Sequence, residues 1–237
     1  MLSPLLLTDF YKTIHHKCYA PGMTKLVSYW TPRMSRKENM DKVVMFGLQP
    51  FIKKYLIKYF NDNFFNRSKD EVVAEYKRII SKTMGAIEAD TEHIEALHQL
   101  GYLPIEIKAV PEGERVNIKT PMIEISNTHE DFAWLVNYLE TFMSCNIWQP
   151  MTSATIAYRY REIMKKYYNL TVDNGDVRRA CGDFSMRGFS SIESAQISGA
   201  AHLLSFYGTA TISAISYLEE YYNCNIEEEI VGLGTPS

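Results

Sequence analysis

Cysteine, long apolar runs and blocks of one charge are all scarce in this sequence. Only 4 of its 237 residues are cysteine, and none forms a Cys-x-x-Cys pair, which excludes a disulfide framework and zinc-ribbon spacing. No run of 18 apolar residues is present, so no membrane-spanning helix is predicted. The apolar N-terminus lacks the basic segment of a signal peptide. Reduced thiols without a secretory signal predict a cytoplasmic protein.

Charge is nearly balanced along the chain. The formal net charge is −3, and the pairs Lys53-Lys54 and Lys165-Lys166 lie in helical patterns typical of solvated faces. The sequence therefore predicts no nucleic-acid binding. Hydrophobic residues make up 46% and charged residues 22%, a composition typical of a globular chain with a buried core.

The histidines do not form a metal-ligand pattern in the sequence. His15 and His16 are adjacent and would point in different directions on a helix, while His93 and His98 are too far apart to share one helical face. Neither pair has a cysteine or an acidic residue at ligand spacing. The sequence therefore predicts no protein metal site.

Residues 1–148 predict an N-terminal α+β domain. Apolar periodicity, capping boxes or a closing glycine mark helices at 48–60, 68–80, 90–101 and 131–145. Strict alternation or β-branched runs mark strands at 25–31, 105–109, 116–118 and 122–125. The last strands are separated by short turns, which favours antiparallel pairing.

Residues 149–237 predict parallel strand–helix packing. A helix is expected from Pro150 to about Tyr168, and strand and helix then alternate. The predicted strands are 177–181, 203–206 and 230–231, and the predicted helices are 191–202 and 211–222. This rhythm predicts an α/β fold with an open sheet or a barrel. Two βα units and the start of a third do not close a barrel, so we expect the chain to be part of something larger.

The stretch from Asp183 to Gly188 places a carboxylate, a flat aromatic ring and a guanidinium side by side. It follows a predicted strand and precedes Ser190-Ser191-Ile192-Glu193, a capping-box pattern that begins helices. Polar groups in that position lie at the carboxyl edge of a sheet, where α/β enzymes build their sites. Asp183, Phe184 and Arg187 are therefore candidate binding residues.

Four segments of the sequence form a combined pattern: Thr8–Lys12, Leu103–Gly113, Asp183–Ser191 and Gly199–Leu203. Together they resemble the nicotinamide phosphoribosyltransferase family. The resemblance implies a type II phosphoribosyltransferase, in which an α/β domain joins an irregular barrel whose first part would be residues 149–237. It also implies a homodimer that transfers phosphoribose from phosphoribosyl pyrophosphate, accompanied by Mg²⁺, to nicotinamide. The product would be nicotinamide mononucleotide, for NAD salvage.

The resemblance also assigns roles to individual side chains. Phe184 matches one aromatic face of the pyridine site, and Tyr11 matches the other face, which in this family comes from the partner subunit. Arg187 matches the residue beside the nucleotide phosphate. Arg33 matches a phosphate contact donated across the dimer. Asp9 is a further site candidate or a helix cap.

The loop Tyr207-Gly208-Thr209-Ala210 departs from the family pattern. Members that use nicotinamide carry an Asp where this sequence has Ala210, and its carboxylate accepts a hydrogen bond from the amide nitrogen of the base. Loss of such a partner lowers affinity by about ten-fold or more. Two alternatives follow for the base, nicotinamide and nicotinate.

The family's catalytic and phosphate-binding residues fall largely outside this sequence. The histidine that is phosphorylated when ATP drives the reaction follows the position of Ser237, and the glycine-rich phosphate loop comes later still. No catalytic residue is therefore identified within this chain. We expect activity only together with a C-terminal half. A non-catalytic binding or regulatory subunit remains an alternative.

Overall fold

The computed structural model describes residues 1–85 and 87–234, which form a mixed α/β fold. Its strands are β1 (Val27–Trp30), β2 (Lys42–Val44), β3 (Ile105–Ala109), β4 (Arg115–Asn117), β5 (Ile123–Asn127), β6 (Gly182–Asp183), β7 (Gly208–Thr209) and β8 (Leu233–Gly234). Its α-helices are α1 (Lys12–His15), α2 (Leu48–Pro50), α3 (Lys69–Thr83), α4 (Glu92–Leu100), α5 (Ala133–Tyr138), α6 (Glu140–Thr171), α7 (Ser185–Gly188), α8 (Ile192–Leu203) and α9 (Ile212–Tyr222). The α/β class predicted from the sequence is confirmed.

The chain folds into two compact units that are interleaved along the sequence. The first unit contains Met1–Trp30, Phe51–Ala109 and Ile123–Ser144. The second contains Thr31–Pro50, Val110–Met122 and the chain from Cys145 onward. The division into domains at residues 148 and 149 stays a prediction.

The first unit is built around an antiparallel sheet in the order β1-β5-β3. In the central strand Ile125 lies opposite Ile107, and both Ile123 and Ile125 are buried. Ser68 begins α3 by accepting a hydrogen bond from the Glu71 amide at 3.2 Å, as the capping box predicts. Gly101 closes α4 with φ of 80°, in the left-handed region that glycine adopts readily. The helix after α2 continues as π-helix over Phe51–Tyr59 and Asn61–Phe65.

Pro150 does not begin a helix, contrary to the prediction, but lies inside the continuous helix α6. An internal proline removes one helical hydrogen bond and costs about 3 kcal/mol in an isolated helix. Here the ring is packed against Gly47 of the same unit. A Cβ built on Gly47 would lie 2.5 Å from Pro150 Cγ, so only glycine allows this approach.

The second unit contains a parallel sheet in the order β6-β7-β8, so the predicted parallel packing is confirmed, although each strand is displaced. Residues 177–179 form a 3-10 helix, residue 203 ends α8, and residues 230–231 precede β8. The strands are instead two-residue segments that each contain a glycine. A Cβ on Gly208 would lie 2.7 Å from the Cys181 carbonyl oxygen. Close backbone approach, rather than β-branched side chains, determines these positions.

Helices α8 and α9 of the second unit pack together beside this parallel sheet. Ser191 begins α8 by accepting from the Ser194 amide at 3.1 Å, so the cap is one residue later than the predicted Ser190–Glu193 box. The shared apolar core consists of Val44, Phe46, Ala154, Ala200, Ala201, Tyr217, Leu218, Tyr221 and Val231. Small residues on α8 allow this close packing. A Cβ on Gly199 would lie 2.8 Å from Ala214 Cβ and 3.0 Å from a carboxylate oxygen of Asp183.

In the part of the chain that the structure describes, no helix is both long and apolar enough to cross a bilayer.

Candidate functional site

Asp183 is the buried anchor of the candidate site. It ends β6, and its residue is only 7% exposed. One carboxylate oxygen accepts hydrogen bonds from the amide of Ser185, at 3.1 Å, and from its hydroxyl. The other accepts from the Thr209 hydroxyl at 3.2 Å. Asp183 therefore fixes the turn between β6 and α7, and its part in substrate binding stays a prediction.

Phe184 and Arg187 are the exposed side chains of that turn. Phe184 is 54% exposed and stands at the N-cap position of α7. Its ring makes no aromatic contact within residues 1–85 and 87–234. The Arg187 guanidinium likewise has no ion-pair partner there, so Asp183 does not neutralise it. An aromatic face and a free cation thus lie on one short turn.

Ala210 lies beside this turn, in the loop that follows β7. The turn and this loop together form the Asp183–Ala210 corner. Its amide donates a hydrogen bond to the Asp183 carbonyl at 2.8 Å, and the residue is exposed. Two buried threonines flank it. The Thr211 amide donates to the Thr209 hydroxyl at 3.0 Å, and the Thr211 hydroxyl accepts from the Met186 amide at 3.3 Å. The structure therefore brings Asp183, Phe184, Arg187 and Ala210 together.

Sequence reasoning missed the two threonines and Ser185, which hold the corner in place. Their signal is the pair of hydroxyls on either side of Ala210, two residues apart and ending a strand. Such side chains commonly bond to nearby backbone groups. The Gly-Thr-Ala-Thr run therefore indicates a structured loop, in addition to containing the position that is expected to distinguish nicotinamide from nicotinate.

Neither Cys181 nor His202 provides a charged group beside the corner. Burial raises the pKa of the Cys181 thiol, so the thiolate is disfavoured. Burial lowers the pKa of His202, which stacks on Phe206 with ring centroids 4.9 Å apart. His202 Nε2 lies 3.4 Å from the Cys181 carbonyl oxygen. Both groups are therefore neutral near pH 7.

Asp9 and Tyr11 lie in the first unit. The Asp9 carboxylate accepts a hydrogen bond from the Thr141 hydroxyl at 2.7 Å, so it does not cap α1 with its side chain. Its carbonyl accepts from the Lys12 amide at 3.0 Å. Tyr11 is 49% exposed, and its ring centroid lies 5.1 Å from Lys12 Nζ. Lys12 itself is buried and ion-paired with Glu140, a contact that sequence reasoning did not foresee.

Arg33 belongs to the second unit and lies in the exposed segment between β1 and β2. The Pro32 carbonyl beside it accepts a hydrogen bond from the Lys119 amide at 2.7 Å, which holds the backbone at this point. The Arg33 side chain has no hydrogen-bond or ion-pair partner among the described residues. It is therefore available to an anion, and among the described residues it forms no hydrogen bond or ion pair with the Asp183–Ala210 corner.

Comparison with known proteins identifies relatives of this chain. A family model described as "Nicotinamide phosphoribosyltransferase, N-terminal domain" matches residues 3–107. A nicotinamide phosphoribosyltransferase from Acinetobacter baylyi is 43% identical over 244 aligned residues, covering 100% of this chain and 47% of that protein. One from Xanthomonas campestris is 32% identical and covers 92% of this chain and 45% of that protein. The chain thus spans about half the length of the curated relatives it matches.

A solved structure has the same fold at low sequence identity. The human nicotinic acid phosphoribosyltransferase superposes with a TM-score of 0.63 and 17% identity, covering 98% of this chain and 39% of that one. This likeness supports the fold alone. The sequence relatives support a closer assignment, because their alignments cover 100% and 92% of this chain. The chain is nicotinamide phosphoribosyltransferase-like and corresponds to the N-terminal half of that family's proteins.

Proposed function

We propose that this chain supplies the pyridine-binding wall of a pentosyltransferase. A protein that contains it transfers phosphoribose from phosphoribosyl pyrophosphate to nicotinamide, giving nicotinamide mononucleotide for NAD salvage. The observation that carries this proposal is the turn after β6, where exposed Phe184 and unpaired Arg187 are held by the buried Asp183. The similarity to nicotinamide phosphoribosyltransferases supports it.

Phe184 and Arg187 suit two different parts of the product. The electron-poor pyridine ring stacks on the face of Phe184, which contributes roughly 0.5–1.5 kcal/mol beyond burial. Tyr11, donated by a second subunit, provides the opposite face. The planar fork of Arg187 binds the phosphate of the nucleotide, and Arg33 provides a further phosphate contact.

In this reaction the residues position the substrates and stabilise charge, and none of them is needed as a nucleophile. The ring nitrogen attacks the anomeric carbon of the ribose, the new C–N bond forms, and the bond to pyrophosphate breaks. Positive character builds on the ribose as the anionic leaving group departs. Phe184 fixes the plane of the base so that its nitrogen faces the sugar. No residue of this chain is proposed to act as an acid, base or nucleophile.

Mg²⁺ enters with the phosphoribosyl pyrophosphate and belongs to the substrate complex. Mg²⁺ prefers an octahedral set of oxygen ligands. Among the described residues the one candidate metal cluster contains two imidazoles, so it does not fit this ion. ATP, where it is used, acts through a histidine that lies outside this chain.

The proposal also includes a second subunit and a cytoplasmic location. We place the active protein in a homodimer, or in a complex that adds a C-terminal half, because Tyr11 and Arg33 are expected to act across a subunit interface. All four cysteines are unpaired, as a reducing compartment requires. We therefore propose a cytoplasmic location, which suits four unpaired thiols.

Nicotinate is the second candidate base. The methyl side chain of Ala210 offers no acceptor to a carboxamide and no repulsion to a carboxylate, and the residue is exposed at the corner. If Ala210 faces the base, Ala210→Asp favours nicotinamide over nicotinate by about ten-fold or more. If the ratio of kcat/KM for the two bases is unchanged, Ala210 does not determine which base the protein prefers.

The assay for the whole proposal measures product with each base. The chain is combined with a C-terminal portion of the kind found in its relatives, and nucleotide formation is followed by chromatography. We expect nicotinamide mononucleotide or nicotinate mononucleotide, dependent on phosphoribosyl pyrophosphate and Mg²⁺. A folded complex that yields neither product contradicts an enzymatic role. If it also inhibits an intact relative, a regulatory subunit is favoured instead.

A further inference from the structure

Two imidazoles and a carboxylate meet in the first unit although they are distant in sequence. His16 lies in the short 3-10 helix His16–Cys18, whereas His93 is in the first turn of α4 and Asp90 just precedes it. His16 Nε2 is 3.2 Å from a carboxylate oxygen of Asp90, and the two imidazole centroids are 4.0 Å apart. One ligand atom from each residue lies within 4.8 Å of the others. Sequence spacing missed this cluster, because it cannot show contacts between distant segments.

Three nitrogen atoms of this cluster lack a protein partner. Both ring nitrogens of His93 and Nδ1 of His16 are buried and accept or donate no hydrogen bond within the described ranges. A buried polar group left unpaired costs about 1–3 kcal/mol. Their shared position suggests a common ligand that satisfies them.

We propose that His16, Asp90 and His93 bind a divalent first-row transition-metal ion. Two imidazole nitrogens and one carboxylate oxygen favour ions such as Zn²⁺ or Co²⁺ over Mg²⁺ or Ca²⁺, which prefer oxygen ligands. A cavity of about 620 Å³ adjoins both histidines and is also lined by Glu130 and Asp131. It provides access for the ion and for a water molecule as a fourth ligand.

Binding requires two small rearrangements. The planes of the His16 and His93 rings lie at 25°, nearly stacked, so at least one ring must rotate before both lone pairs converge on an ion. Lys17 Nζ lies 3.1 Å from Asp90 and competes for the same carboxylate. The Lys17 side chain is 59% exposed and moves into solvent at little cost. Lys17 is therefore an electrostatic competitor of the metal ion.

The test is metal titration of the metal-free 237-residue chain. Zn²⁺ is followed by calorimetry and Co²⁺ by its visible absorption, with millimolar Mg²⁺ present throughout. We expect one ion per chain. His93→Gln and His16→Gln each weaken binding by at least about ten-fold, since loss of even an indirect partner commonly costs 10–100-fold. Lys17→Gln tightens binding.

His98→Gln is the matched control. His98 Nε2 already lies 2.9 Å from the Arg67 carbonyl oxygen and is outside the cluster, so Zn²⁺ affinity stays unchanged. Circular dichroism establishes that each variant is folded. Binding that is absent in the parent chain, or equal in the parent, His93→Gln and Lys17→Gln, overturns the proposal. Because binding is measured directly, the result is independent of phosphoribosyl transfer.

Discussion

At the candidate site, one residue supports the local fold and others are exposed. Asp183 carries a charge yet is buried, and its oxygens are occupied by Ser185 and Thr209. Phe184 and Arg187, one and four positions later, are exposed. The sequence alone indicated all three as binding residues, since side-chain type does not reveal burial. The structure shows that Asp183 is buried and that Phe184 and Arg187 are exposed.

Arg187→Gln separates phosphate binding from base binding. The substitution removes the cation, so we expect affinity for nicotinamide mononucleotide to fall by about 10–100-fold, in line with charged hydrogen bonds worth about 1.5–3 kcal/mol. Nicotinamide has no phosphate, and its affinity should change by less than about two-fold. Calorimetry with both ligands, on an active protein that contains this chain, measures the difference. Equal losses for the two ligands would show that Arg187 supports the fold or contacts the base.

Elements were predicted best where local chemistry determines them. Ser68 and Gly101 mark helix ends through their own side chain or backbone freedom, and both ends agree with the sequence. Pro150 was misjudged because its tolerance depends on Gly47, a contact made by a distant segment. Strands β6 and β7 were misplaced because two residues carry no periodicity. Close backbone approach at their glycines determines their positions, and α8 packs closely against Asp183 at the end of β6.

Gly199→Ala tests that packing. Alanine is favoured over glycine inside a helix by about 1 kcal/mol, yet its Cβ would lie 2.8 Å from Ala214 Cβ and 3.0 Å from Asp183. Overpacking of this kind costs about 1–3 kcal/mol, so we expect a net loss of stability. Gly188→Ala is the control, because a Cβ there meets nothing within 4 Å. Thermal unfolding compares the two, and a Gly199→Ala variant more stable than the parent would refute close packing at this point.

At the scale of the whole molecule, long-range contacts set properties that the sequence hides. The α/β class and the antiparallel and parallel sheets follow from patterning. The meeting of His16, Asp90 and His93 does not, because two of these residues are 77 positions apart by number (93 − 16) and no periodic signal joins them. Burial of His93 in this cluster also makes the stability of the chain depend on pH.

His93 should make the folded chain less stable in mild acid. Burial lowers its pKa from 6.5 to about 3 in the fold, so between these values the unfolded chain binds more protons. The free energy of unfolding therefore rises with pH in this window, by up to about 1.4 kcal/mol per pH unit for one proton. Urea unfolding from pH 4 to 7, with a chelator present, measures the slope. His93→Gln should flatten it, and an identical slope in the variant would assign the acid sensitivity to other groups.

The central claim is that the turn after β6 presents Phe184 to a pyridine ring. The most direct measurement is the KM for nicotinamide of the active protein that contains this chain, compared with its Phe184→Leu variant. Leucine keeps an apolar side chain but loses the aromatic face, so the 0.5–1.5 kcal/mol of stacking predicts a rise in KM of about 2- to 13-fold. Phe189→Leu, in the same exposed segment, is the control and should leave KM unchanged. An unchanged KM in Phe184→Leu, with product still formed, would contradict the account.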